Sequence, residues 1–295
     1  MSPQFSITEE ELLKLAQNTK DFVFKGERHN IKFVGKPYPS QGECKTDLFI
    51  KTDKGEFKIS VKQSNADFIE NKMSYERAIQ IFGDKASEII SKSIKSIKSS
   101  FDTHPLICFE KKGRTQAKTI VLGWKFELVN KVNGKKSGLL ELSDEQKMNI
   151  YSGYLSDESK RNAVVNGEII EDSGVANFIL VTGKIENEPL QYFIDKLEPI
   201  YEFAKKQSIY FACKALNYRM LEDKWDGNRP LGVFVDWQLN DKKQLSGTIV
   251  YDNPLQTKGN AVGENVRSIL SELSINKSNF NDLKRFYKGP SYPCN

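Results

Sequence analysis

Asp47 and Lys62 open and close the stretch DLFIKTDKGEFKISVK. Thr52-Asp53-Lys54-Gly55 in its middle reads as a tight turn, so the stretch is expected to be a β-hairpin. Side chains alternate across a strand. Phe57, Ile59 and Val61 therefore share one face, and Lys58, Ser60 and Lys62 the other. Leu48 and Ile50 form the apolar face of the first strand, which puts Asp47 on the opposite side. The hairpin is thus expected to bring Asp47 beside Ser60 and Lys62. From residue types alone, that is a cross-strand ion pair of small energetic worth.

Asp47 follows Lys45-Thr46 and precedes a strand, a turn and Ser60-Val61-Lys62. This order resembles the core of the PD-(D/E)XK nucleases, notably the type II restriction endonucleases. In that family an aspartate at the start of one strand and an acid-x-Lys at the end of the next hold Mg²⁺ and orient water. Here the position before x-Lys is Ser60. One branch of the restriction enzymes also carries Ser-x-Lys and takes its missing glutamate from the following helix. In this chain thirteen residues separate Lys62 from Glu76, which lies in Ser74-Tyr75-Glu76-Arg77. The resemblance covers residues 6–110.

The resemblance implies roles. Asp47 and Glu76 would be the carboxylates for Mg²⁺, a hard cation that takes one or two of them plus waters. The metal would polarise the phosphate and acidify the attacking water. Lys62 would stabilise charge on the phosphate and help to orient or deprotonate the water. Ser60 would hold a metal-bound water. Gln63, Ser64, Asn65 and Asp67 fall where that branch reads bases, with Asn suited to adenine and Asp to cytosine. They equally suit a strand-to-helix turn with a Ser or Asn cap. Glu43 is a rival ligand, but four extended residues put it about 13 Å from Asp47. Glu9 to Glu11 and Glu70 are further candidate ligands, each expected to be solvated, and Glu43 or an N-terminal glutamate would take the role if Glu76 does not reach Asp47.

The expected activity is Mg²⁺-dependent, sequence-specific cleavage of double-stranded DNA, as in a type II restriction enzyme. A homodimer suits cutting both strands of a palindrome. The alternatives are a repair or mobile-element nuclease of the same fold, and a DNA-binding protein with an inactive nuclease core.

The elements that must position these residues are legible from periodicity. A helix is expected from Ser6, as cap, to about Asn18. Strands are expected at 30–34, 46–52, 56–63, 106–110, 119–129, 176–182, 231–239 and 245–251. Helices are expected at 66–82, 85–100, 190–197, 200–221 and 261–273. Residues 130–173 read as polar and loop-rich, and the tail FYKGPSYPCN as loose or draped. Gly259-Asn260-Ala261-Val262-Gly263 lacks the Gly-Lys-Ser/Thr ending of a phosphate loop and reads as a turn before a helix. The expected fold class is α+β, a mixed central β-sheet flanked by helices with a restriction-endonuclease-like core. The expected organisation is a catalytic core over 1–130, with recognition or dimerisation elaborations over 131–295.

Composition agrees with a globular protein of this kind. Of 295 residues, 38% are hydrophobic and 28% charged. No apolar run is long enough to span a membrane, and the start has no signal-peptide pattern. Cys44, Cys108, Cys213 and Cys294 are widely spaced, which is expected of free thiols in a cytoplasmic protein. His29 and His104 are the two histidines, too few for a histidine-based zinc site or triad. A net charge of 44 − 39 = +5 suits a polyanionic partner.

Overall fold

The computed structural model describes residues 3–63, 68–70, 73–183, 185 and 187–293. The fold is α+β, with helices flanking mixed sheets. Chain contacts divide it into two units, one of residues 1–69 and 142–207, the other of residues 70–141 and 208–295. This division does not follow a cut at residue 130. The chain returns to the first unit at residue 142, and a strand further on, Phe178–Thr182, pairs in parallel with the second strand of the hairpin. Local periodicity carries no information about that pairing.

The first unit is built on α1 (Pro3–Gln17), β1 (Asp21–Phe24), β2 (Glu27–Gly35), β3 (Leu48–Thr52) and β4 (Gly55–Gln63). Its six-stranded sheet runs β1-β2-β3-β4, then Phe178–Thr182, then Glu198–Pro199. The β3–β4 register pairs Leu48 with Ile59 and Ile50 with Phe57, and Thr52 with Gly55 at the turn. The expected apolar face forms, but Phe49 and Ser60 on the opposite face are fully buried as well. Leu48, Ile50, Phe57, Ile59 and Val61 share one core with Leu12 and Ala16 of α1, Leu180, and Phe193 of a later short helix. β1 and its hairpin to β2 were not expected. Lys25 and Gly26 form its turn with φ of 50° and 82°, the left-handed geometry that two-residue hairpins need.

α1 begins at Pro3, so Ser6 lies inside the helix and not at its cap. The polar region 130–173 is more ordered than its composition suggests. It contains the helix Asp144–Ser152, closed by a Ser143/Gln146 capping box and by Gly153 in the left-handed region. The antiparallel pair Ala163–Val165 and Glu168–Ile170 follows.

In the second unit a large sheet centres on Thr119–Val129, paired with Tyr210–Arg219 on one side and Val233–Leu239 on the other. Residues 200–221 are therefore not one helix. Ile200–Lys206 is helical, and Tyr210–Arg219 is a strand whose ladder is supplied by Thr119–Val129. The tail is not loose: Tyr287 is buried, and Ser291–Tyr292 pairs in parallel with Ile107–Cys108. The helix expected over 66–82 is also corrected. Phe68–Glu70 is a short strand, and the helix is Tyr75–Phe82, started by Ser74, whose Oγ accepts the Arg77 N–H at 3.1 Å.

No helix among the described residues is long and apolar enough to cross a membrane. Cys44, Cys108 and Cys213 are free thiols, and Cys294 lies outside the described residues. His29 is structural: its ring stacks on Phe22, and its Nδ1 lies 3.2 Å from the Thr52 hydroxyl.

Candidate acid–lysine site

In the first unit β2 ends, β3 begins and β4 ends at one edge of the sheet, because the three strands are successive antiparallel neighbours. Lys36 follows the last residue of β2, Asp47 precedes the first of β3, and Lys62 is the next-to-last of β4. The ladder continues through Asp47, whose N–H donates to the Ile59 carbonyl at 2.9 Å. This places the Asp47 side chain diagonally across from Ser60.

The contacts of Asp47 converge on one oxygen. Oδ2 accepts the Val61 N–H at 2.7 Å and the Ser60 hydroxyl at 3.4 Å, and Lys62 Nζ stands 3.9 Å away. The expected trio is thus assembled, but not on an open surface. The Asp47 side chain is 18% exposed and the Lys62 side chain 36%. Ser60 is fully buried.

Burial pushes the Asp47 carboxyl above the usual carboxylate range. Lys62, the Val61 N–H, Lys36 and Lys45 act against that shift without cancelling it. A second acid shares this field. Glu9 lies on the inward stripe of α1 with Leu12 and Ala16, and its side chain is only 4% exposed. Its Oε2 accepts from Lys36 Nζ at 2.5 Å. Burial, and then repulsion by Asp47, raise its pKa above the ordinary value. Burial alone would lower Lys36, but its hydrogen bond to Glu9 and the charges of Glu9 and Asp47 outweigh that and raise it. The Cys44 thiol is pushed up to about 11 by burial and by Asp47, so it is a poor nucleophile here.

Glu9 was expected to be solvated and is instead buried; Glu10 and Glu11 are exposed, as expected. The available signal was spacing. Glu9, Leu12 and Ala16 are three and four residues apart, so the acid sits in register with an apolar stripe. Nothing local marks Lys36.

Glu76 belongs to the other unit. It is exposed and lies in the first turn of Tyr75–Phe82, not mid-helix. Its pKa is lowered by its own backbone N–H at the helix start, then by Ser74, with a contribution from Lys258. Glu43 is exposed, and Glu70 pairs with Arg77 at 3.4 Å. Gln63 ends β4 opposite Thr182. Ser64, Asn65 and Asp67 lie outside the described residues.

Burial raises the pKa of both carboxylates even though Lys36 and Lys62 stand beside them. Among the described residues no group of three or more His, Cys, Asp or Glu side chains forms a metal cluster. Mg²⁺ needs only one or two carboxylates and completes its shell with water. Asp47 and Glu9 are two carboxylates in one electrostatic field, the number that such a cation takes. No family model, curated protein or solved structure matches the chain.

Proposed function

We propose that this chain is a Mg²⁺-dependent endonuclease that hydrolyses phosphodiester bonds of double-stranded DNA, in the manner of a type II restriction enzyme. The observation that carries the reading is the fixed carboxylate of Asp47, held by the Val61 N–H at 2.7 Å with Lys62 at 3.9 Å. Glu9 replaces Glu76 in this reading as the second carboxylate. It shares the unit and the electrostatic field of Asp47, whereas the charge of Glu76 is stabilised at its own helix start.

Asp47 and Glu9 would hold the metal, which when bound supplies a Lewis acid for the phosphate and an acidified water. Asp47 is held chiefly by the main chain, through the Val61 N–H. Lys62, partly exposed at the strand end, can meet a phosphate oxygen and offset the charge that develops there. Ser60 is too buried to touch substrate, and its hydroxyl steadies Asp47. The excess of basic residues supports an anionic polymer as partner, and a homodimer would cut both strands.

Plasmid digestion tests the reading. Discrete fragments with Mg²⁺, and none from Asp47→Ala or in excess EDTA, are the expected result. A smear points instead to a repair-type enzyme of the same chemistry. Intact plasmid under all metal conditions, with DNA still bound, leaves an inactive DNA-binding protein.

A further inference from the structure

The Glu9–Lys36 pair is the tightest contact of the site, at 2.5 Å. It is also asymmetric. The Glu9 side chain is almost wholly enclosed, while the Lys36 side chain is 30% exposed on a four-carbon stem just past the end of β2. Resting on the function proposed above, we infer that Lys36 is a stand-in cation. Its ammonium occupies the cation position on Glu9, would give it up to a divalent metal, and would then meet the phosphate of the nucleic acid.

An enclosed carboxylate needs a positive partner, and Lys36 is the one hydrogen-bonded to Glu9. A metal on Glu9 would sit about 2.1 Å from a carboxylate oxygen. An ammonium left on the same carboxylate would then face a dication within a few ångströms, and that repulsion favours its withdrawal. The exposed stem gives it a direction in which to go. Charge balance supplies the destination. Glu9 and Asp47 against Lys36 and Lys62 sum to zero, and Lys45 adds a further positive charge in the field of Asp47, so an added dication leaves the site strongly positive and matched to phosphate. Lys62 is placed differently, 3.9 Å from Asp47.

Mn²⁺ binding to the full chain, followed by electron paramagnetic resonance, separates these roles. Lys36→Met should bind Mn²⁺ about tenfold more tightly than the wild type, because no ammonium competes for Glu9. Lys62→Met should change Mn²⁺ affinity less. Lys36→Met should nevertheless cut DNA more slowly, and Lys36→Arg should return metal affinity towards the wild-type value. Equal or weaker Mn²⁺ binding by Lys36→Met overturns the inference, as does an equal gain from Lys62→Met. A second measurement needs no variant. Acylation of the Lys36 amine in the wild type, scored by mass spectrometry against the exposed Lys14, should accelerate when Mg²⁺ is added. An unchanged or slower rate overturns the inference. Wild-type protein that takes up no Mn²⁺ at millimolar concentration refutes the metal reading and Lys36's role together. Mn²⁺ binding that is lost in Asp47→Asn but indifferent to Lys36 refutes the latter alone.

Discussion

Oδ2 of Asp47 accepts the backbone N–H of Val61, the residue between Ser60 and Lys62, at 2.7 Å. The acid at the start of one strand is thereby tied to the main chain at the end of the next. Its position does not depend on the rotamer of Lys62. A carboxylate held this way is pre-organised, and its burial has a cost that can be measured.

That cost gives the first prediction. The folded pKa of Asp47 is raised, so its stabilising contribution is fully present below the unfolded value of about 3.9 and is lost as pH rises through the folded pKa. At neutral pH the ionised carboxylate weakens the fold. Asp47→Asn keeps an oxygen for the Val61 N–H and removes the charge. The variant should melt at a higher temperature than the wild type at pH 7, by a margin that shrinks towards pH 4, and should not cut DNA. A lower melting temperature at pH 7 would refute the electrostatic account.

The second prediction compares two glutamates. Glu9→Gln should reduce cleavage by about a hundredfold or more, as loss of a group acting directly on the reacting centre does. Glu76→Gln should leave cleavage within a few-fold. It should cost about 0.5 kcal/mol in stability, from a lost charge at a helix start. Side-by-side plasmid assays and melting curves decide. Severe loss from Glu76→Gln with near-normal activity in Glu9→Gln would return the second carboxylate to Glu76.

Ser60 offers a third test. Its hydroxyl reaches Asp47 at 3.4 Å, a long bond, inside a fully buried site. Ser60→Ala should therefore lose only part of the activity. Ser60→Glu would create the acid-x-Lys pattern of the nucleases that the hairpin resembles, yet here it adds a third carboxylate and extra volume at a fully buried position. It should fold poorly, as read by circular dichroism and yield.

A fourth prediction concerns metal and salt. Mg²⁺ should raise the melting temperature of the wild type by binding the native state. It should not do so for an Asp47→Asn, Glu9→Gln double variant. Ca²⁺ should support DNA binding without cutting, since its looser shell misplaces the water. DNA affinity should fall steeply with salt, as counterions are released. A salt-independent affinity in filter binding would exclude a phosphate-contacting surface.

The fifth concerns the sheet that carries the site. Leu180, fully buried in the strand parallel to β4, packs in the same core as Val61 and Leu48. Leu180→Ala should cost about 2–5 kcal/mol. Unfolding in urea measures it, and a cost under about 1 kcal/mol would mean that this strand is not integral to the site's support.

The sequence by itself determined the hairpin. Phe57, Ile59 and Val61 alternate with Lys58, Ser60 and Lys62, and such a strand can present its apolar face to a core in only one register; Leu48 and Ile50 then pair with that face, with Phe49 on the other. Asp47, Ser60 and Lys62 follow from that parity. The strand Thr119–Val129 was legible for its length and its branched and aromatic residues. What only the tertiary structure decided depends on partners distant in the chain. Tyr210–Arg219 has buried residues on both faces, so its composition suits helix or strand, and its pairing with Thr119–Val129 makes the choice. Phe178–Thr182 looks like any short strand until it joins β4 more than a hundred residues back. Glu9 among three consecutive acids reads as a solvated helix start, and Lys36 as one lysine of many. Their pairing beside Asp47 arises because α1 packs on the sheet where β2 ends and β3 begins. Electrostatic coupling of that kind acts through space, and no local pattern along the chain records it.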